Sequence, residues 1–157
     1  MALLNIGIVT ASDTRTVAQD TAGAALAALS EERGWSVVGY ELVPDDETAL
    51  VSAMERVAAA GADVILTCGG TGLSPRDVTP EATRRFADRE VPGIAEAIRA
   101  ASLAITARAM LSRATAAQRG STLVINLPGS EKAARETFAV VADQLEHAVE
   151  MMAGGGH

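Results

Sequence analysis

Short apolar segments and longer amphipathic segments alternate along the chain. The apolar segments are rich in β-branched residues and are followed by polar or proline-containing turns, which is typical of buried strands. They predict four strands, at residues 3–10, 35–43, 62–67 and 121–127. Between them, apolar side chains recur with the spacing of a single helix face, first in the segment that begins at Ala22.

Small polar residues and prolines mark the starts of five helices. Their capping or first positions are Asp20, Glu47, Thr79, Pro92 and Ser130. Thr79 is predicted to cap its helix with its hydroxyl, because Pro80 suits the first helical position. Residues 106–120 are harder to interpret, and Ala107–Leu111 fits either a short strand or a helix end.

Strands that alternate with helices indicate βαβ units, and therefore a mostly parallel sheet with helices on both faces. We predict a single three-layer α/β/α domain over residues 1–152 and a flexible tail at 153–157. A chain of 157 residues has room for one domain with a sizeable core, and is too short for two ordinary domains. Aromatic residues make up only 3% of it, so the core is expected to be aliphatic.

Charge and composition exclude several classes of binding partner and site. A formal net charge of −7 argues against nucleic acid or an anionic membrane surface, because both bind basic patches. The single cysteine cannot form an intrachain disulfide or a thiolate metal cluster. No segment approaches the roughly 18–20 apolar residues of a membrane span, and the first residues lack the features of a secretion signal. A cytoplasmic location is therefore expected.

Most polar residues of interest follow predicted strands. In a parallel α/β sheet the carboxyl ends of the strands meet at one rim, and ligands bind there. The loops expected at this rim are residues 12–13, 44–46, 68–79 and 128–130. Their clustering is the main evidence from the residues for a functional site.

The loop Gly69, Gly70, Thr71 and Gly72 directly follows the third strand. Three glycines in four positions let backbone amides approach and face a phosphate. A tight turn that needs glycine for packing explains the loop equally well. It is neither a P-loop nor a dinucleotide fingerprint, because no Gly-Lys-Ser/Thr follows and the GxGxxG spacing is absent.

Three carboxylates, Asp13, Asp45 and Asp77, each follow a strand at the rim. Mg²⁺ takes one or two carboxylates together with phosphate oxygens and waters, as nucleotidyl transfer requires. An aspartate after a strand is also a common N-cap, an interpretation that suits Asp45 or Asp46.

Arginine and cysteine side chains in the same loops have competing interpretations. Arg76 and Arg113 have the planar guanidinium that suits a phosphate, although a surface ion pair is the simpler interpretation of each taken singly. Cys68 is predicted to be a small buried residue rather than a nucleophile, because no histidine lies in the rim loops.

The segment Cys68–Ala82, CGGTGLSPRDVTPEA, resembles the GGTG…RDVTPEA segment of the MogA/MoaB family. The pairs Ser12–Asp13, Pro44–Asp45 and Ser112–Arg113 and the segment Asn126–Ser130 match the family in the same order. The resemblance covers nearly the whole chain. The long match is very specific, whereas the Ser-Asp and Pro-Asp pairs alone are weak.

The resemblance implies a three-layer α/β protein, commonly a homotrimer with hexamers among some relatives, that binds molybdopterin beside Mg-ATP. It implies adenylyl transfer to the terminal phosphate of molybdopterin, release of pyrophosphate and hand-over to a molybdenum insertase. Asp45 and Asp77 match the catalytic acidic pair that would hold Mg²⁺, and Gly69–Gly72 match the nucleotide loop. The implied substrate contacts are Ser12, Asp13, Arg76, Ser112, Arg113, Pro128, Gly129 and Ser130.

The chain departs from the family pattern at two places. Cys68 stands where the family often has Thr, and Ala107–Arg108 where Pro-Phe is more common, which bears on the pterin contacts. The alternatives are a non-catalytic molybdopterin carrier or scaffold, a CinA-like domain acting on pyrophosphate-linked nucleotides, and molybdate insertion. Retention of Asp45 and Asp77 favours an enzyme over a carrier, and a single short domain disfavours the other two.

Overall fold

The computed structural model describes residues 3–155, which form one sheet with helices on both sides. The strands are β1 (Asn5–Ala11), β2 (Ser36–Val43), β3 (Val64–Cys68), β4 (Arg89–Glu90), β5 (Ala116–Arg119) and β6 (Thr122–Leu127). The α-helices are α1 (Thr21–Glu32), α2 (Glu47–Ala59), α3 (Thr79–Phe86), α4 (Pro92–Leu103) and α5 (Glu131–Met152). Short 3₁₀ helices occupy Val17–Gln19 and Ala107–Leu111, so the ambiguous segment is helical.

The sheet order is β2-β1-β3-β6-β5-β4. The four predicted strands, β2, β1, β3 and β6, pair in parallel, which confirms the mostly parallel sheet. β5 and β4 extend it in the antiparallel direction. These two strands were not predicted, because segments of four and two residues are too short to show a strand pattern.

Two separate apolar cores define the three layers. On one face Ile8 and Leu66 pack with α1, α4 and α5, which contribute residues such as Leu26 and Phe138. On the other face Ile65 packs with α2 and α3. Successive residues of a strand point to opposite faces, so a strand of the sheet centre is buried on both sides. β3 is buried at every position, with Thr67 its one polar residue, and the predicted α/β/α architecture is confirmed.

The helix caps agree with the sequence except at α3. Asp20 and Ser130 cap α1 and α5 as predicted, with side-chain oxygens accepting from Gly23 N–H and Ala133 N–H. The prediction for Thr79 was wrong. The N-cap of α3 is Val78, because its carbonyl accepts the first helical hydrogen bond, from Ala82 N–H at 3.0 Å. Thr79 is therefore the first residue of the helix, and its own N–H donates to Gly70 O at 3.1 Å.

A buried polar network lies beneath the ends of β1 and β3. The Thr10 hydroxyl donates to Asp20 Oδ2 at 2.6 Å, and Tyr40 donates to the same oxygen. Thr10 Oγ also lies 2.9 Å from Cys68 Sγ. Burial raises the pKa of the Cys68 thiol to about 12, so it stays protonated near neutral pH. Cys68 is buried, as predicted, and unsuited to nucleophilic attack.

Within residues 3–155, no helix is long and apolar enough to cross a membrane. Two backbone hydrogen bonds cap the carboxyl end of α5. They run from Gly154 N–H to Met151 O at 2.9 Å and from Gly155 N–H to Glu150 O at 3.0 Å. The remainder of the predicted tail, residues 156–157, lies outside the described residues.

Candidate active site

Loops from β1, β2, β3 and β6 meet at the carboxyl ends of the parallel strands, as predicted. They enclose a cavity of about 360 Å³. We call it the aspartate cavity; its lining residues are Ala11, Ser12, Asp13, Thr14, Arg15, Asp45, Gly69, Gly70, Ser74, Arg76, Asp77 and Gly129. The two aspartates of the predicted acidic pair, Asp45 and Asp77, therefore face the same space although they are distant in the chain.

Asp13 ties three of these loops together. The Asp45 N–H donates to Asp13 Oδ1 at 2.9 Å, and the Arg76 guanidinium forms an ion pair with Asp13 Oδ2. The backbone hydrogen bond from Asp45, followed by the contact with Arg76, lowers the pKa of Asp13. Asp13 and Arg76 thus lie at the site as predicted, and they bind each other there.

Asp45 lies in an environment that disfavours its charge. Burial raises the pKa of this half-buried carboxyl, and the negative charges of Asp13 and Asp77 raise it further. Within residues 3–155 no three His, Cys, Asp or Glu side chains are arranged to hold a metal by themselves. The cavity has excess negative charge without a complete metal site, which suits a divalent cation that brings further oxygen ligands with its substrate.

The glycine loop adopts the left-handed backbone expected of it. Gly69 has φ +92° and Gly70 φ +70°, and a Cβ on Gly69 would lie 2.7 Å from Ala11 O. Not every amide of the loop faces the cavity. Gly69 N–H donates to Leu127 O at 3.1 Å, and Gly72 N–H donates to Asp77 Oδ2 at 3.1 Å. The amide of Gly70, which lines the cavity, is therefore the better candidate to meet a phosphate.

Arg113 braces the back of this loop. Its guanidinium donates to Gly72 O at 2.8 Å and to Asp77 O at 2.7 Å, and it forms an ion pair with Glu81 at 2.6 Å. The hydrogen bonds from Arg113 lower the pKa of Glu81. The residue was predicted to contact substrate, but the structure places it outside the lining of the aspartate cavity.

Replacing Arg113 with lysine is expected to destabilise the protein by about 1–2 kcal/mol, because an ammonium cannot span both carbonyls and the carboxylate. Urea denaturation measures the change, and hydrogen exchange at Gly72 reports the loop. Arg135→Lys is the matched control, since Arg135 pairs with Glu131 at an exposed position and should change stability by less than about 0.5 kcal/mol. Equal effects of the two substitutions would contradict the bracing role.

A second cavity of about 330 Å³ lies across the glycine loop. We call it the apolar cavity; Thr71, Gly72, Ile98, Arg99, Arg108, Leu111, Ser112 and Pro128 are among its lining residues. The loop and Pro128–Gly129 form the wall between the two cavities. Ser112 and Pro128 thus lie beside the aspartate cavity, whereas Ser130 lines neither cavity and caps α5.

Arg15 is a cavity residue that was not predicted. Its Nη1 donates to Gly129 O at 3.0 Å, and no other hydrogen bond links its guanidinium to residues 3–155. Among residues 3–155 it has no carboxylate partner, whereas the charge of Arg76, the other cation in the lining of the aspartate cavity, is paired with Asp13. Its position three residues after Ser12 in the first rim loop was the signal that could have identified it.

Comparison with known proteins assigns the family. The family model described as "Probable molybdopterin binding domain" matches residues 7–147, and the chain belongs to that family. It is 40% identical over 148 residues to molybdopterin adenylyltransferase of Haemophilus influenzae, covering 91% of this chain and 75% of that protein. It is also 39% identical over 157 residues to the molybdenum cofactor synthesis protein cinnamon of Drosophila melanogaster. That match covers 97% of this chain and only 26% of cinnamon.

Solved structures agree with this assignment. The molybdopterin biosynthesis enzyme MoaB of Thermus thermophilus has a TM-score of 0.87 and 44% identity, covering 97% of this chain and 98% of that one. A CinA protein of Thermoplasma acidophilum has a TM-score of 0.69 at 18% identity, with coverage of 91% and 98%. The likeness to CinA shows a shared fold alone.

Proposed function

We propose that this chain is a molybdopterin adenylyltransferase that transfers AMP from Mg-ATP to the terminal phosphate of molybdopterin and releases pyrophosphate. One observation carries the proposal: Asp45 and Asp77 share a cavity with the glycine loop, and that loop separates it from an apolar cavity. The similarity to the Haemophilus influenzae molybdopterin adenylyltransferase, which matches most of both chains, supports the same function.

The reaction needs no general base from the protein. An oxygen of the molybdopterin phosphate forms a bond to the α-phosphorus of ATP. The bond that breaks joins the α-phosphorus to the oxygen that bridges to the β-phosphorus. Pyrophosphate leaves with the electron pair of that bond. A phosphate monoester is largely dianionic at pH 7, since its second pKa lies near 6. The absence of histidine from the residues that line the aspartate cavity is consistent with this chemistry.

Asp45 and Asp77 are the residues that would hold Mg²⁺. They supply two carboxylates. Mg²⁺ takes one or two carboxylates when phosphate oxygens and waters complete its coordination shell. The bound ion would neutralise charge on the phosphates during transfer. The raised pKa of Asp45 supports this assignment, because burial and the neighbouring carboxylates disfavour its charge and a bound cation would offset that effect. Asp13 would act indirectly, by fixing the loop that carries Asp45.

The positive groups of the site would orient the phosphates. Arg15 lines the cavity with guanidinium donors that make no bond to residues 3–155, and the Gly70 amide would add a further donor. Preorganised donors of this kind stabilise the charge that develops on the transferred phosphoryl group. Holding both substrates side by side would lower the barrier by several kcal/mol more.

The apolar cavity would bind the pterin. It presents aliphatic residues for a flat ring, together with Ser112 and Arg108 as polar contacts at its edge. A pterin held there would direct its phosphate across the glycine loop towards the aspartate cavity. Arg108, one of the positions that depart from the family pattern, would then contribute a charged contact to pterin binding.

The homotrimer, the cytoplasmic location and hand-over to a molybdenum insertase are parts of this proposal that rest on the family resemblance alone. Light scattering of the purified protein would establish the first of them.

The function is tested by incubating the purified protein with molybdopterin, ATP and Mg²⁺. We expect pyrophosphate and a pterin product heavier by one adenylyl group, in equal amounts. Molybdopterin that binds and is recovered unchanged would identify a carrier. Hydrolysis of a pyrophosphate-linked nucleotide without adenylylated pterin would identify a CinA-like enzyme, and either result would refute the proposal.

Replacing Arg15 with glutamine is expected to raise the KM for ATP about 10-fold, because one charge-assisted phosphate contact is lost. Initial rates of pyrophosphate release against ATP concentration measure the effect. Arg33→Gln is the control: Arg33 follows α1 and pairs with Asp143, outside the lining of the aspartate cavity. An unchanged KM in Arg15→Gln would exclude Arg15 from phosphate binding.

A further inference from the structure

Thr79 carries a buried hydroxyl without a hydrogen-bond partner. The residue is 0% exposed, and its Oγ is the one buried side-chain polar atom of residues 3–155 that lacks a partner. Such a group destabilises the folded state, because its hydrogen bonds with water are lost on burial and not replaced. The ligand-free protein therefore carries an unsatisfied hydroxyl at Thr79. This indicates that the hydroxyl has a hydrogen-bond partner in another state of the protein, such as the ligand-bound state.

Other buried threonines in helices satisfy their hydroxyls locally. Thr83, one turn further along α3, donates to Thr79 O at 2.9 Å and accepts from Asn126 Nδ2 at 2.9 Å. Thr137 in α5 donates to Ala133 O at 2.8 Å. Thr79 begins its helix and makes neither kind of bond. Its hydroxyl is therefore not explained by helix geometry or by capping.

The hydroxyl lies behind the floor of the aspartate cavity, next to Asp45. A Cβ placed on Gly70 would be 2.3 Å from Thr79 Oγ and 3.4 Å from Asp45 Oδ1. Adding these distances, the hydroxyl and the carboxylate oxygen are at most 5.7 Å apart. A side chain on Gly70 would crowd both atoms. The hydroxyl is inaccessible to water in this state, so a rotation of the Thr79 or Asp45 side chain is what would bring the two atoms within hydrogen-bond distance.

We infer that Thr79 is a positioning residue: in the nucleotide-loaded site its hydroxyl donates to the Asp45 carboxylate. This inference rests on the proposed function and adds to it the group that orients the metal-binding aspartate. It also gives Gly70 a second role, since any side chain at that position would fill the space between donor and acceptor.

Thr79→Val separates this role from a structural one, because valine has nearly the same shape and lacks the hydroxyl. We expect the urea midpoint of the ligand-free protein to stay unchanged or rise, since an unsatisfied polar group is removed. We expect kcat/KM for Mg-ATP to fall about 10- to 100-fold, the usual effect of losing a hydrogen bond to a charged group. Calorimetry should show weaker Mg-ATP binding, and Thr79→Ser should restore most of the activity.

Thr83→Val is the matched control, with the opposite expectation. It leaves the buried Asn126 amide without one acceptor, so the urea midpoint should fall while Mg-ATP binding stays unchanged. Thr79→Ala provides a second hydroxyl-free variant if valine prevents folding.

Two results would overturn the inference. One is a folded Thr79→Val or Thr79→Ala protein with the wild-type kcat/KM and Mg-ATP affinity. The other is a urea midpoint that falls in Thr79→Val as far as it does in Thr83→Val. A wild-type protein without adenylyl transfer would instead refute the proposed function, so the two failures are distinguishable.

Discussion

Asp45→Asn is expected to lose adenylyl transfer by at least about 100-fold and, at the same time, to make the ligand-free protein more stable. The loss follows from removing a charge that holds the metal at the transferred phosphate. The gain follows from the raised pKa of Asp45: burial and the neighbouring carboxylates disfavour its charged form. We expect stabilisation of about 0.5 kcal/mol at pH 7, the usual size of partly exposed charge interactions.

The pH dependence of this stability gain has a definite sign. A carboxyl whose pKa is raised on folding binds its proton more tightly in the folded state, so it destabilises the fold as pH rises through the folded pKa. The advantage of Asp45→Asn should therefore be present near neutral pH and vanish below the ordinary aspartate pKa of about 4. Thermal unfolding at about pH 7 and at about pH 3.5, on either side of that value, measures it.

Asp46→Asn is the matched control for this substitution. Asp46 lies next in the chain, outside the lining of the aspartate cavity, and caps α2 by accepting from Ala49 N–H at 2.9 Å. Asparagine caps helices equally well, so we expect normal activity and nearly unchanged stability. An Asp45→Asn protein that is as active as the Asp46→Asn protein would remove Asp45 from the reaction.

Asp77→Asn is expected to reduce pyrophosphate release at least about 100-fold with stability preserved within about 0.5 kcal/mol. Asp77 has two roles in the structure: its Oδ2 accepts from Gly72 N–H at 3.1 Å and from Ser74 N–H at 3.3 Å, and it faces the cavity. An asparagine oxygen can keep both hydrogen bonds, whereas the negative charge is lost. Rates with saturating molybdopterin and Mg-ATP, together with urea denaturation, measure the two effects.

Asp77→Ala distinguishes the two roles of this residue. It removes the loop contacts together with the charge, so it should be less stable than Asp77→Asn by about 1 kcal/mol while losing a similar amount of activity. Wild-type turnover in either variant would show that the metal-binding role assigned to Asp77 is wrong.

The central part of the fold was predictable because its pattern is local. β3 is buried at every position, and Asp20 and Ser130 are side chains that cap the helix directly following them. β4 and β5 were not predictable, since strands so short depend on pairing with their neighbours in the sheet rather than on their own sequence. Thr79 was assigned as a cap because the residue type fits, but the helix begins one residue earlier, where Val78 O accepts from Ala82 N–H.

The clustering of the site could be predicted, while its internal pairing could not. Parallel strands bring their following loops to one rim, so Asp13, Asp45 and Asp77 were expected to lie together. Which arginine faces the cavity depends on side-chain contacts between distant segments. Arg113 contacts loop carbonyls outside the cavity. Arg76 and Arg15 both line it, and Arg15, which was missed, is the one of the two that does not pair with Asp13.

The binding of ATP with and without Mg²⁺ tests most directly whether Asp45 and Asp77 hold a metal-bound triphosphate. Calorimetry should be run on the wild-type protein, the Asp45→Asn/Asp77→Asn double variant and the Asp46→Asn control. The account predicts that Mg²⁺ strengthens ATP binding at least about 10-fold in the wild type and the control, and has little effect in the double variant. The same Mg²⁺ dependence in all three proteins would contradict it.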